Sequence, residues 1–142
     1  MVTMKNLLES KGREVWSIAP NAVVFDAIRE MADRGVGALP VVEAGKLVGI
    51  VSERDYARKV ILLGRSSKDT PVRDIMTSQV YCVGPEENIQ VAMTLMTERH
   101  IRHLPILDGG RLVGVVSIGD LVKSLLAEKD LVIGQLESYI AG

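Results

Sequence analysis

The chain contains the same passage twice. Val15–Val60 can be laid on Val80–Leu125 at a constant offset of 65 without a gap, and 14 of the 46 pairs are identical. Pro20/Pro85, Leu39/Leu104, Pro40/Pro105, Gly49/Gly114, Ser52/Ser117 and Asp55/Asp120 are among them, and most other pairs exchange like for like, as Ile50/Val115 and Lys46/Arg111 do. A repeat of this kind restricts the fold to two copies of one supersecondary unit. The lead-in repeats more loosely. "MKNLL" (Met4–Leu8) resembles "VRDIM" (Val72–Met76) at an offset of 68, so the first copy carries three extra residues around Ser10–Glu14. A half of about 65 residues is marginal by itself. The halves are therefore expected to pack as one module: residues 1–70 with an N-terminal lead-in helix, and 71–142 with a C-terminal helical extension, joined through the polar Gly64–Pro71.

Each half reads strand, helix, strand, strand, helix, an α/β (α+β) pattern. Val15–Ile18 and Val80–Val83 are predicted as short strands ending at Pro20 and Pro85. A helix is predicted from Asn21 or Ala22 to Arg34, with Val24, Ala27, Ile28 and Met31 on one face. Asn88 is expected to cap its twin, whose stripe is Ile89, Ala92, Met93 and Met96. Gly35 suits a helix C-cap, and His100 takes that place in the second copy. "LPVV" and "LPIL" read as buried strands, "EAGK" and "DGGR" as tight hairpin turns, and "LVGIV" and "LVGVV" as the returning strands. Pro40 and Pro105 fit near strand starts or on an edge.

Hydrophobic residues make up 47% of the chain and aromatics only 4%, which predicts a compact fold with an aliphatic core. A net charge of −1 gives no overall attraction to nucleic acid or to an anionic membrane. Cys82 is the lone cysteine, the start "MVTMKNLLESKG" has no long apolar run, and no stretch reaches the ~20 residues of a membrane span, so the expected compartment is the cytoplasm.

The repeated strand ends in Ser-x-x-Asp both times, "GIVSERD" and "GVVSIGD". One meaning is a helix start, with Ser52 and Ser117 capping and the acid favouring the dipole. Another is a grip on a vicinal diol, since a carboxylate offers two acceptor oxygens to two adjacent hydroxyls. The two are compatible: the serine can cap while the aspartate faces a cleft.

The duplicated "LPVVEAGKLVGIVSERD" and "LPILDGGRLVGVVSIGD" strongly resemble the CBS domain, named after cystathionine β-synthase; a tandem pair is called a Bateman module. The resemblance covers about Met4 to Leu126. It implies two pseudo-symmetric βαββα units, a stand-alone regulatory sensor and a homodimer of modules. The implied ligand contains adenosine: AMP foremost, or ADP, ATP, S-adenosylmethionine or NAD(H). Ser52, Asp55, Ser117 and Asp120 fall on the ribose motif. Ser17, Ile18, Ala38 and Pro40 in copy one, and Cys82, Val83, His103 and Pro105 in copy two, fall on the adenine slots.

The sharpest difference between copies is "RHIRHLP" against "RGVGALP", in which Arg102 and His103 replace Gly37 and Ala38. An arginine fork matches phosphate oxygens. The resemblance implies that this pair of positions can carry basic residues reaching a phosphate across the module, so the phosphate of a ligand held by Asp55 is expected to point at Arg102 and His103, with Arg54 and Arg58 nearby. The Asp120 site, facing Gly37 and Ala38, should lack this help. His100 and His103 lack the further ligands a metal needs, and Cys82 lacks a base, so neither a metal site nor a catalytic constellation is expected. Leu121, Val122, Leu125, Leu126, Leu131, Ile133, Leu136 and Ile140 make the C-terminal stretch amphipathic, which suggests a dimer contact. The competing functions are a ligand-free scaffold and, further off, a nucleotide-processing enzyme with His103 as its base.

Overall fold

The computed structural model describes residues 2–12 and 14–141, with the side chains of 130–133 and 139–141 outside that description. The elements run α1 (Met4–Lys11), α2 (Val24–Arg34), β1 (Ala38–Glu43), β2 (Lys46–Ser52), α3 (Glu53–Tyr56), α4 (Ile89–Arg99), β3 (His103–Asp108), β4 (Arg111–Ser117) and α5 (Ile118–Ala141). The class is mixed helix and strand, with two separate antiparallel hairpins, β1–β2 and β3–β4. Both hairpins have the same register, Leu39 opposite Val51 and Leu104 opposite Val116, and both shift it after the fourth residue, at Val41/Val42 and Ile106/Leu107. Their turns need positive φ at two consecutive positions, which Gly109 and Gly110 adopt freely and Ala44 adopts at 50°.

Two differences from the sequence expectation concern element starts. Val15–Ile18 and Val80–Val83 do not form strands. Each contributes one parallel bridge, Ile18 to Val41 and Val83 to Ile106, so the third strand of each unit is reduced to a single rung. The first repeat's helix begins at Val24 rather than Asn21 or Ala22, and its N-cap, Val23, has no side-chain cap. In its place the Val24 amide donates to the Thr70 carbonyl at 2.8 Å and the Phe25 amide to Ser67 at 3.0 Å, so the linker caps this helix. Asn88 does cap α4, its Oδ1 accepting from the Val91 amide at 2.9 Å. Gly35 and His100 both end their helices in the left-handed region.

The two cores do not follow the two halves of the chain. Val24, Ala27, Met31, Leu39, Val41 and Val51 of the first repeat are buried together with Val72 and Ile75 of the second lead-in. Ile89, Ala92, Met96, Leu104, Ile106 and Val116 of the second repeat are buried with Met4, Leu7 and Leu8 of the first lead-in. The lead-ins are thus exchanged. Matching backbone bonds fix both: Met4 to Glu87 and Lys5 to Pro85 on one side, Val72 to Ala22 and Arg73 to Pro20 on the other. An eight-residue helix is unstable in isolation. Burying three large side chains at about 1.5–3 kcal/mol each is what holds α1 on the second core.

The exchange explains the repeated Leu-Val-Gly. A β-carbon on Gly49 would meet Met76 Sδ at 2.7 Å and the Thr77 carbonyl oxygen at 2.9 Å, and one on Gly114 would meet the Leu8 side chain. Each glycine clears a strand face for the lead-in that crosses it. The two lead-ins then diverge. After a single 3₁₀ turn over Val72–Asp74, Thr77 joins the edge of β2, exchanging two backbone bonds with Ile50 at 2.9 and 3.0 Å. The first lead-in stays helical to Lys11. The matching β4 carbonyl, that of Val115, accepts instead from the Lys11 ammonium at 2.8 Å.

Candidate functional site

Each Ser-x-x-Asp makes a reciprocal cap. The Asp55 amide donates to Ser52 Oγ at 3.1 Å, while the Ser52 amide and hydroxyl donate to Asp55 Oδ2 at 2.9 and 3.0 Å. In the second copy the Asp120 amide donates to Ser117 Oγ at 3.1 Å and the Ser117 amide to Asp120 Oδ2 at 2.9 Å. The serines therefore start α3 and α5, and the cap fixes the carboxylate rotamer. The helix starts are also clipped to the strands before them: the Glu53 amide donates to the Gly37 carbonyl at 3.0 Å, and the Ile118 amide to that of Arg102 at 2.8 Å.

Both carboxylates border clefts between the repeats. The first cleft, about 520 Å³, is lined by Ser52, Glu53, Arg54, Asp55 and Arg58 of the first repeat. It is closed by Thr77, Gln79, Val80, Tyr81 and His100–His103 of the second. The second, about 460 Å³, is lined by Ser117, Asp120, Gly114 and Val115. It is closed by Leu8, Lys11, Glu14–Trp16 and Arg34–Pro40. Gly37, Ala38 and His103 line both, so the clefts share a wall. Volumes of this size suit a nucleotide-sized ligand.

The electrostatics of the clefts differ. Lys59 Nζ stands 3.4 Å from Asp55 Oδ1 while donating to the Ile75 carbonyl at 2.9 Å, and it lies outside the cleft lining. Lys11 Nζ lies within the second cleft, 2.7 Å from Asp120 Oδ2. Burial pushes the Asp120 carboxyl up, but the hydrogen bonds from Lys11 and Ser117 and the lysine's charge outweigh it and hold the pKa below the usual carboxylate range. His103 is pushed down first by burial and then by the charge of Lys11; Asp120 pulls it up by less than that, and Arg102 adds a still smaller downward push. It is therefore a neutral imidazole at pH 7, and an anion brought beside it would raise its proton affinity again.

Asp55, Ser52, Arg54, Arg102, His103 and Ala38 come together in the first cleft; Asp120, Ser117, Ala38, Pro40 and His103 come together in the second. Ser17, Ile18, Cys82, Val83 and Pro105 line neither cleft. The backbone of Ile18 and Val83 is spent on the bridges to β1 and β3, and their side chains pack on the cores. Burial raises the Cys82 thiol, which disfavours a thiolate. The Asp120 cleft is lined by Gly37 and Ala38 as the sequence suggests, and its cations come from elsewhere, Lys11 of α1 and Arg34 of α2.

The residues the sequence reading passed over are Trp16 and Tyr81. They are equivalent at the offset of 65, each lines one cleft, and each stacks under an equivalent arginine: Arg34 at 5.1 Å from the Trp16 ring centre, Arg99 at 4.9 Å from that of Tyr81. Two aromatics at the same place in both copies of a chain this poor in aromatics was the available signal.

The comparisons with known proteins agree with this architecture. The CBS domain family model matches residues 11–61 and 72–127. The Arabidopsis thaliana CBS domain-containing protein CBSX3, mitochondrial, is 41% identical over 99% of this chain and 72% of its own length. A solved CBS-domain protein of Burkholderia ambifaria MC40-6, provisionally assigned to signal transduction, is 50% identical with a TM-score of 0.86, covering 89% of this chain and 95% of that one. The CBS domain protein PAE2072 of Pyrobaculum aerophilum, solved in complex with AMP, is 28% identical with a TM-score of 0.75, covering 84% and 89%. With two matched repeats, a shared fold and these relatives, the chain belongs to the CBS-domain family as a tandem pair.

Proposed function

We propose that the protein is a non-catalytic regulatory sensor that binds an adenosine-containing ligand, AMP foremost, in the cleft bordered by Asp55. One observation carries this. Asp55 is pinned by its own cap at the edge of a nucleotide-sized cleft that Arg102 and His103 of the second repeat also line. A carboxylate has about four acceptor positions. Ser52 takes two, which leaves capacity for both ribose hydroxyls. The phosphate would then lie toward Arg102 and a neutral His103 able to take up a proton. Tyr81 and Ile50 offer flat and apolar surface for the base. The AMP complex of the Pyrobaculum aerophilum relative supports the ligand class.

Because the two clefts share a wall and Arg102 also holds the first amide of α5, a ligand bound at Asp55 would favour one packing of the repeats by its differential affinity for it. The exposed Val122, Leu126 and Leu136 of α5, with Ile61–Leu63 after α3, fit a homodimer as the unit that reads this out. Leu121 and Leu125 instead pack on the second core, and Leu131, Ile133 and Ile140 lie outside the described side chains. Among the described residues no helix is long and apolar enough to cross a membrane.

The test is a thermal-shift and calorimetric panel of AMP, ADP, ATP, NAD, NADH and S-adenosylmethionine. AMP should raise the melting temperature, and Arg102→Ala should weaken AMP about tenfold with little effect on adenosine. No shift with any ligand at millimolar concentration would favour the scaffold reading. Turnover of ATP or NADH would favour an enzyme.

A further inference from the structure

We propose that Lys11 is a built-in occupant of the second cleft: its ammonium holds the Asp120 carboxylate that a ribose would need, so an adenosine ligand enters there only by displacing it. The inference rests on the nucleotide reading above and goes beyond it, since it makes the two clefts a standing site and a conditional one.

The geometry is specific to this side. Lys11 donates to Asp120 Oδ2 at 2.7 Å and to the Val115 carbonyl at 2.8 Å, and Ser117 already donates to that same Oδ2 at 2.9 Å. Asp55 Oδ2 also carries two donors, but both belong to its own Ser52 cap, whereas one of the two on Asp120 is an ammonium standing in the cleft, so a diol there meets a charged competitor for the carboxylate. Lys11 is the last residue of α1, whose cationic end suits the helix dipole and whose apolar face is locked into the second core. The ammonium is thus presented by a fixed element rather than by a wandering surface chain. In the first cleft the crossing segment contributes Gln79 and Thr77 instead of a cation, and Lys59 approaches Asp55 from outside the lining, at 3.4 Å. The ion pair is partly exposed, at 38% and 27% for the two side chains. Its displacement therefore costs a modest factor in affinity, roughly fivefold, rather than closing the cleft outright.

Trp16, the chain's single tryptophan, lines the second cleft and not the first, so its fluorescence reports on that site. Titrating the full chain with AMP should give a tight phase silent at Trp16 and a weaker phase that moves its emission. In Lys11→Met the weak phase should tighten about fivefold or more while the tight phase stays within twofold, and Lys11→Arg should restore the weak phase. A second phase that Lys11→Met leaves unchanged or weakens overturns the proposal; weakening would make Lys11 a ligand contact. Should Lys11→Met fail to fold, uncharged adenosine serves with the unaltered chain: raising salt should tighten the Trp16 phase by screening the ion pair, and an unmoved phase overturns the proposal equally. A tight phase that is lost in Asp55→Ala, beside a second phase indifferent to Lys11, removes this inference alone. No AMP binding in any of these chains removes the nucleotide reading and this inference together.

Discussion

The cleft at Asp55 and the cleft at Asp120 are built from the same sequence unit, the same cap and the same hairpin register, yet their chemistry differs because of what crosses them. Over the first, the crossing segment unwinds after one turn, pairs its backbone with β2 and adds only the uncharged Thr77 and Gln79 to the lining. Over the second, it stays helical and delivers a lysine. A duplicated motif therefore does not imply duplicated sites. The residues identical between copies hold the frame, and the lead-ins, together with the Gly37-Ala38 and Arg102-His103 pairs, assign the roles.

This comparison can be broken most forcefully at the crossing itself. Gly49→Ala sets a methyl against the Thr77 backbone, which is tied to Ile50 and cannot yield, whereas Gly114→Ala meets only the movable end of Leu8. Denaturant unfolding should show a loss of about 2–3 kcal/mol for Gly49→Ala and about 1–2 kcal/mol for Gly114→Ala. Equal losses would mean that the two crossings are equally compliant.

A smaller effect separates the sides by pH. The His103 pKa is lowered in the fold, so the unfolded chain takes up protons first. Ligand-free stability should fall as pH drops through about 6.5, the ordinary value for histidine. AMP brings an anion to the same imidazole and should bind more tightly over that range, and His103→Gln should flatten both trends. The lowered Asp120 pKa works at a different pH. Its contribution is present above about 4 and is lost as pH falls through the depressed folded value. An acid limb that survives in Lys11→Met would show that the lysine is not its cause.

The smallest test lies in the hairpin turns. Ala44 holds φ at 50° where its equivalent is Gly109 at 59°. Ala44→Gly should raise stability by up to about 1 kcal/mol and Gly109→Ala should lower it by a similar amount, read from denaturation midpoints.

Much of this was legible in the sequence because the repeat supplied two independent readings of each position. The hairpins, the Ser52 and Ser117 caps, the Asn88 cap and the presence of Arg102 and His103 in the cleft that Asp55 lines follow from patterns that occur twice or differ once. The exchange of lead-ins was not legible. Met4, Leu7 and Leu8 have the same spacing as Val72, Ile75 and Met76, so either trio fits either core, and only three-dimensional closure decides. Lys11 was hidden for a related reason: it lies in the stretch where the two lead-ins fall out of register, and so has no partner to be compared with. The strands at Ile18 and Val83 were overextended because apolar spacing cannot tell one rung of a ladder from four.

The central claim is that Asp55 and Asp120 are unequal, and an AMP titration of Asp55→Ala beside Asp120→Ala tests it most directly. Loss of charged hydrogen bonds to a ribose is worth about 1.5–3 kcal/mol, roughly 10- to 100-fold in affinity. Asp55→Ala should lose the tight phase by that factor, while Asp120→Ala leaves it within about threefold. A tight phase that survives Asp55→Ala, or that falls equally in both variants, would contradict the account.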